Sequence, residues 1–343
     1  MLRRKILYIG NNLYNNKTNP SSIQVIGSQL ESEGFDMFYS SSKNNKVLRL
    51  LDMLYSCIKY RNAVSNVIID TYSTSNFYFA VLVGQLCQFL KLPYVLSLNG
   101  GNLPARLQNS PRLCSITFKP AKALVSPSLY LMDAFHNHGY MDVVYIPNAL
   151  NLNQYKFKTR PIEDLNLFWL RSFCKIYNPC LAVDILKALQ DLGYNATLCM
   201  AGPDTDGSLR KVKKHAKALN VEIYTPGKLT KAEWTHLAKN YNVFINTTNF
   251  DNMPVSVIEA MALGLPIVST NVGGMPFLIE DGVDGVLVPP NNSKAFVDAI
   301  LKLKSQPEAT EVMVANARKK VELYDWQLLK EEWRKVLGDE KII

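Results

Sequence analysis

Short apolar runs alternate with longer amphipathic stretches along almost the whole chain. Lys5-Ile6-Leu7-Tyr8-Ile9 has a strand pattern, which Gly10-Asn11-Asn12 breaks. Ser21-Ser22 can cap a helix that ends at Gly34. Further runs of strand length fall at Phe35–Tyr39, Val67–Ile69, Tyr94–Leu98, Ala123–Ser126 and Val143–Ile146. Asn44 to Arg61 reads as a helix with Val47, Leu50, Leu51, Leu54 and Ile58 on its apolar face, and Lys46, Arg49, Lys59 and Arg61 around it. The longest apolar stretch, Phe77 to Leu90, contains Gln85 and Gln88. At about 14 residues it is too short to span a bilayer and is expected to be a buried helix.

A polar segment, Lys156 to Asp164 with Pro161, reads as a linker, and the alternation then resumes. Strand patterns fall at Leu167–Leu170, Thr197–Ala201, Val221–Tyr224, Val243–Asn246 and Ile267–Ser269. Helical patterns cover Ser208–Leu219, Lys231–Lys239, Val255–Leu263, Ser293–Leu303 and Glu308–Leu323, and an amphipathic segment runs from Asp325 to Leu337. Strands alternating with helices imply βαβ units and parallel sheets. A length of 343 residues suits two α/β domains better than one. No Gly-x-Gly-x-x-Gly is present, so the dinucleotide fingerprint is absent.

The chemistry concentrates between Asn249 and Gly264, NFDNMPVSVIEAMALG. A loop, Asn249 to Pro254, leads into an apolar helix that stops at Gly264; Pro near a helix start and Gly just past its end is the expected asymmetry. The free N–H groups of such an N-terminus, around Met253–Ser256 and excluding the proline nitrogen, are a seat for phosphate. Glu259 lies inside the apolar helix, where a carboxylate needs a partner; a ribose diol could supply one. Asp251 sits on the loop eight residues before Glu259.

Asp251-x7-Glu259, then Ala260-Met261-Ala262-Leu263-Gly264-Leu265-Pro266 and Gly273-Gly274, resembles the nucleotide-sugar site of the retaining GT-B glycosyltransferases of family 4. That family's usual pattern has Glu where this chain has Asp251, one methylene shorter with the charge kept. The resemblance implies two Rossmann-like domains facing a central cleft. The first, acceptor-side domain would cover residues 1–160 and the donor domain 165–323, with a helix over 324–343 crossing back to the first. It implies transfer of a sugar from a nucleotide-diphosphate donor, such as a UDP-sugar, to a hydroxyl of a glycan or lipid-linked acceptor, as in cell-surface polysaccharide synthesis.

The same resemblance distributes roles. Arg171, Asp251 and Glu259 would be catalytic, with Arg171 on the donor diphosphate. A guanidinium offers phosphate a bidentate fork that an ammonium does not; a solvated cation at a strand end is the plainer alternative. Relatives carry a Lys five residues after this Arg, but position 176 is Ile, so Lys175 is one residue out of register. Gly202, Gly227 and Leu229 fall where relatives cradle the nucleotide, alongside Met253, Pro254 and Val255. Gly10, Asn11, Asn99, Gly100 and Gly101 would form the acceptor-side loops. Asn99 stands where relatives place a His, and it cannot act as a base near neutral pH. Tyr145-Ile146-Pro147-Asn148 resembles the stretch that closes the first domain.

No cofactor and no metal are expected. Six Cys and four His show no ligand spacing, which also suits a reduced, cytoplasmic compartment. Asp204-Thr205-Asp206 precedes a helix and reads as turn and cap chemistry. No signal peptide is read from Arg3-Arg4-Lys5 and the short run after it. The net charge of +9 is uneven, +10 over residues 1–160 and −1 over 161–343. This bears on partners: an anionic membrane surface at the inner face of the plasma membrane is the sharper reading, solvated cations on a packed helix the blander one. No nucleic-acid partner is expected. Two rival functions remain, a sugar-nucleotide epimerase on the same fold and a sugar-nucleotide-binding protein without turnover. A glycosidase using Asp251 and Glu259 fits less well, because one is on a loop and the other inside a helix.

Overall fold

The computed structural model describes residues 4–13 and 20–338. They form two compact units, one of the described residues up to 149 with 326–338, the other of residues 150–325.

The first unit runs β1 (Lys5–Ile9), α1 (Ser22–Ser32), β2 (Asp36–Ser40), α2 (Lys46–Tyr60), β3 (Asn66–Thr71), α3 (Asn76–Phe89), β4 (Tyr94–Leu98), α4 (Leu103–Asn109), α5 (Pro111–Phe118), β5 (Ala123–Ser126), α6 (Leu129–His136) and β6 (Val143–Tyr145). Its six strands are parallel in the order β2-β1-β3-β4-β5-β6. The order reverses at β1, so the carboxyl ends of β1 and β3 lie at the topological switch point. Local chemistry sets the helix starts. Ser21 and Gln24 form a capping box on α1, and Asn45 Oδ1 accepts from the amides of Val47 (2.9 Å) and Leu48 (3.2 Å) on α2. The sheet and helices close on a core that includes Leu7, Ile69, Phe77, Leu96, Phe118 and Phe135.

The second unit runs β7 (Leu165–Leu170), α7 (Pro179–Asp191), β8 (Ala196–Ala201), α8 (Ser208–Ala218), β9 (Tyr224–Gly227), α9 (Lys231–Leu237), β10 (Val243–Asn246), α10 (Val255–Leu263), β11 (Ile267–Thr270), α11 (Met275–Leu278), β12 (Val286–Val288), α12 (Ser293–Ser305) and α13 (Pro307–Glu322). Its six strands are parallel in the order β12-β11-β10-β7-β8-β9. Trp169, Phe173, Ile185, Leu198 and Phe296 centre its core. A last helix, α14 (Trp326–Leu337), belongs to the first unit. There Arg334 pairs with Glu33 at 2.9 Å, and the Leu337 carbonyl accepts from Asn66 Nδ2 at 3.0 Å. Residues 339–343 of the helix expected over 324–343 lie outside the described residues.

Four expectations are corrected. The first-domain limit moves from residue 160 to 149, because residues 150–160 dock on the second unit. The Leu150 amide donates to the Tyr324 carbonyl (2.9 Å), and Arg160 Nη1 donates to the Leu263 carbonyl (3.0 Å) at the end of α10. The strand expected at Val221–Tyr224 sits three residues later. Val221 is held back by its amide on the Ala216 carbonyl (3.1 Å), with Asn220 left-handed at φ 54°, so it finishes α8. Pro226 and Gly227 thereby fall inside β9, and an edge strand tolerates a proline. The Phe77–Leu90 stretch is not buried all round, since Tyr78, Leu82 and Phe89 are exposed. On α2, Arg49 is not a surface cation. It is buried, with Nε on the Lys43 carbonyl (2.9 Å), Nη1 on Asn11 Oδ1 (2.9 Å) and Nη2 on the Asn44 carbonyl (2.8 Å).

Candidate functional site

β7 ends at Leu170, and Arg171 leaves its carboxyl end with its amide on the Ala201 carbonyl at 3.1 Å. The guanidinium forms an ion pair with Asp251, reaches Ser256 Oγ at 3.5 Å in the first turn of α10, and lies over the Tyr177 ring, 4.0 Å from its centroid. The two charged side chains are only 12% and 13% exposed. Burial pushes the Asp251 carboxyl upward, while Arg171 and the Asn252 amide, at 2.9 Å, pull it back. Arg171 Nε is buried without a hydrogen-bond partner, and such an orphaned donor suits an anion. The structure thus joins Arg171, Asp251 and Ser256, with Arg171 and Asp251 held by each other.

The glycines explain how the backbone closes here. Gly274 donates its amide to the Asp251 carbonyl at 2.8 Å, and a Cβ on Gly274 would collide with the Asn252 carbonyl. Gly202, at φ 145°, lies so close to the Arg171 carbonyl that no Cβ fits, and its amide meets the Gly227 carbonyl at 2.8 Å. Gly202 and Gly227 are therefore brought to the Arg171 strand end. Leu229 is half-buried on the segment between β9 and α9. Met253 and Pro254 are buried at the start of α10, and Val255, its first residue, is 40% exposed.

Glu259 is 4% exposed and has its partner inside the protein. Its Oε1 accepts from the Tyr155 hydroxyl at 2.7 Å and pairs with Lys231, whose Nζ also reaches the Tyr155 hydroxyl at 2.7 Å. Burial, with Glu259 beside it, pushes the Tyr155 phenol far above its ordinary range. Neither Tyr155 nor Lys231 was among the expected site residues, and nothing local marks them: Lys231 merely follows Thr230 at the start of its capping box with Glu233. Lys175 is exposed, its amide donating to Asp206 Oδ2 at 2.8 Å, and it is not a partner of Arg171 or Asp251. Asp204 and Asp206 hold the amides of Gly207 (2.9 Å) and Ser208 (3.0 Å), which is turn and cap chemistry. Among the described residues no group of three potential ligands could hold a metal ion.

In the first unit, four of the five expected loop residues gather around a carboxylate that was not foreseen from the sequence. Asp70, at the carboxyl end of β3, is 5% exposed. Its Oδ1 accepts from Asn99 Nδ2 (2.8 Å) and the Tyr8 hydroxyl (3.1 Å). Oδ2 is buried without a formed hydrogen bond, and it crowds Gly10 so closely that a Cβ there has no room. Burial pushes this carboxyl up to about 7 against the hydrogen bonds that favour its charge. Asn99 and Gly100 both donate their amides to the Thr71 carbonyl (2.9 and 3.1 Å), and Asn11 takes the Arg49 guanidinium. Gly101 follows in the turn before α4 without joining the cluster. A cavity of about 10 Å³, lined by Gly10, Asn11, Asp70, Tyr72 and Asn76 among others, leaves room for one water.

Residues 173–320 match the family described as glycosyl transferases group 1. The span takes in Asp251 and Glu259 and begins two residues after Arg171. A D-inositol 3-phosphate glycosyltransferase of Saccharomonospora viridis is 34% identical over 70 residues, 20% of this chain and 16% of that protein. The amylovoran biosynthesis glycosyltransferase AmsK of Erwinia amylovora is 45% identical over 75 residues, 22% of this chain and 18% of that protein. The chain thus spans less than a fifth of either curated relative. The crystal structure of Anabaena HepE in complex with UDP superposes with a TM-score of 0.77 at 15% identity, covering 99% of this chain and all (100%) of that one. This likeness gives the chain the GT-B fold, as the sequence led us to expect.

Proposed function

We propose that this chain is a retaining group 1 glycosyltransferase that moves a sugar from a nucleotide-diphosphate donor, a UDP-sugar, to a hydroxyl of a glycan or lipid-linked acceptor. The observation that carries the reading is the Arg171–Asp251 pair at the carboxyl end of β7, beside the first turn of α10. Transfer requires that growing negative charge on a departing diphosphate be met by fixed positive groups. Arg171 keeps its buried Nε free for an oxygen, and the α10 amides add the positive end of a helix dipole. An incoming phosphate competes with Asp251 for the guanidinium, and the released carboxylate can then accept a donor-sugar hydroxyl. Glu259 takes the ribose diol, exchanging hydrogen bonds with Tyr155 and Lys231. No metal or cofactor is assigned. Solved complexes of HepE with UDP and with UDP-glucose support the nucleotide assignment, and AmsK, named for amylovoran biosynthesis, supports a role in surface polysaccharide synthesis. The proposed location is peripheral, on the inner face of the plasma membrane.

The epimerase reading regains one argument, since Asp70 supplies a titratable group beside Asn99. The cavity at that group has room for one water, not for a sugar ring. The test is a panel of nucleotides and nucleotide sugars, scored by thermal shift and by slow donor hydrolysis. UDP and one UDP-sugar are expected to raise the melting temperature, and that sugar to be released with UDP. Conversion of the sugar to its epimer without UDP release, or no response to any nucleotide, would overturn the proposal.

A further inference from the structure

In the first unit, α2 exposes the residues that a soluble crossover helix ordinarily hides. Val47, Leu48, Leu51, Tyr55 and Ile58 are between 49% and 67% exposed. At about 100° per residue they fall within an arc of about 100°, so they form one continuous stripe. The opposite side of the same helix is packed down on the sheet through Met53 and Cys57. α3 lies beside it, with the Cys57 and Cys87 sulfurs 4.0 Å apart between the two helices. α3 turns Leu82 and Phe89 to solvent, Phe89 being 82% exposed.

The segment that carries this apolar face is charged almost entirely with one sign. Between residues 43 and 122 the chain holds ten Lys and Arg and two Asp. Both acids are withdrawn: Asp70 is buried, and Asp52 is part-buried with Oδ2 on the Ser41 amide at 2.8 Å. Lys43, Lys46, Lys59, Arg61, Lys91 and Arg112 are exposed. No helix among the described residues is long and apolar enough to cross a membrane.

We propose that the α2–α3 face of the first unit docks on an anionic lipid bilayer, with the apolar stripe seated at the headgroup boundary and the cations at phosphate level. Apolar residues on one helix face, flanked by Lys and Arg without exposed acid, match an interface that is apolar inside and negative outside. A second copy of the chain is a poorer occupant, because two such faces would bring like charges together. The inference gives the membrane location proposed above a definite surface, and it rests on the first unit alone. It therefore stands or falls separately from the donor site.

The test is co-sedimentation of the full chain with vesicles of equal parts phosphatidylcholine and phosphatidylglycerol, and with phosphatidylcholine alone. The chain is expected to pellet with the anionic vesicles at low salt, and to be released largely by about 1 M salt, where screening is short-ranged. Leu51→Ser/Tyr55→Ser/Phe89→Ser, all at exposed positions, is expected to weaken partitioning about tenfold or more. Lys46→Gln/Arg61→Gln is expected to weaken it by about thirtyfold at low salt and to have little effect at high salt. UDP-induced thermal shifts, measured on the same samples, should be unchanged in both variants and separate this outcome from failure of the donor reading. Three results would overturn the proposal: no pelleting with anionic vesicles at low salt, undiminished pelleting of the triple variant, or a wild-type dimer that the triple variant dissolves.

Discussion

Asp70 shows what one buried carboxyl does to the stability of its surroundings. Its folded-state value is raised to about 7 from an ordinary 3.8, so between those limits the folded protein holds a proton that the unfolded chain has released. The contribution is therefore fully present below the ordinary carboxylate range and is lost as pH rises through about 7. Asp70→Asn keeps an oxygen for Tyr8 and Asn99 and removes the charge. The variant should match wild type near pH 4 and exceed it at pH 8 by a few kcal/mol, about 1.4 for each tenfold difference in acid strength between the folded and unfolded carboxyl. Parallel melting curves across that range would refute the assignment. Arg171 makes the converse case. Arg171→Ala leaves Asp251 buried without its partner, so it should cost about 3–5 kcal/mol in stability and lower kcat by roughly a hundredfold or more. Arg171→Ala/Asp251→Asn separates the two effects, regaining most of the stability in urea unfolding without regaining turnover. If stability stays low in the double variant, the ion pair is not what the cation supports. At this scale the local pattern placed Arg171 at a strand end, Asp251 on a loop and Glu259 inside an apolar helix, while the roles proposed for them came from the resemblance. Tyr155 and Lys231 were not, since they lie 104 and 28 positions from Glu259 and meet it only through the fold. Asp70 went unnoticed because it prolongs an apolar strand whose hydrophobic pattern ends at Ile69.

α10 is the element on which the candidate donor site depends, and its two ends have different physics. The first turn lies beside Arg171, whereas the end turns away through Gly264 at φ 78°. The Lys158 carbonyl lies close to the position a Cβ would take at Gly264, and Arg160 caps the neighbouring carbonyls. Gly264→Ala should therefore cost about 1–2 kcal/mol for the left-handed backbone and more for the contact. The loss should appear as a lower melting temperature with little change in UDP affinity, since the far end of the helix holds the site. A variant with wild-type stability would show that residues 150–160 do not pack there as described. Element boundaries were legible where a cap or a glycine marked them, as for α10. They slipped where tertiary context decided. β9 starts late because the α8 cap consumes Val221, and Pro226 is admitted because β9 is an edge strand. The exposed side of α3 was hidden from the sequence by its apolar composition, which reads as burial in any surroundings.

For the whole chain, the alternation of strands and helices was enough to foresee parallel sheets, because apolar runs of strand length are separated by crossovers too long for a hairpin. The limit between the units was not legible. Lys156 to Asp164 read as a linker, yet Arg160 within it and Tyr155 just before it are fixed on the second unit. The amphipathic pattern of α14 gave its existence, and the GT-B resemblance gave its destination. In the first unit Glu33 receives Arg334 at 2.9 Å, Lys330 at 3.4 Å and the Trp326 indole at 3.2 Å, while Trp333 and Leu337 are buried beneath. Part-buried ion pairs return much of their attraction as lost hydration, so the apolar side of the helix should carry the attachment. Trp333→Ala, at a 3% exposed position, should cost about 3–5 kcal/mol. Leu328→Ala, at a 56% exposed position on the same helix, should stay within about 0.5 kcal/mol of wild type. Ending the chain at Asp325 should expose the Glu33 side of the first unit and lower its resistance to proteolysis further than either substitution. Equal effects of the two substitutions, or a truncated chain that melts like wild type, would mean that α14 is not an integral part of the first unit's core.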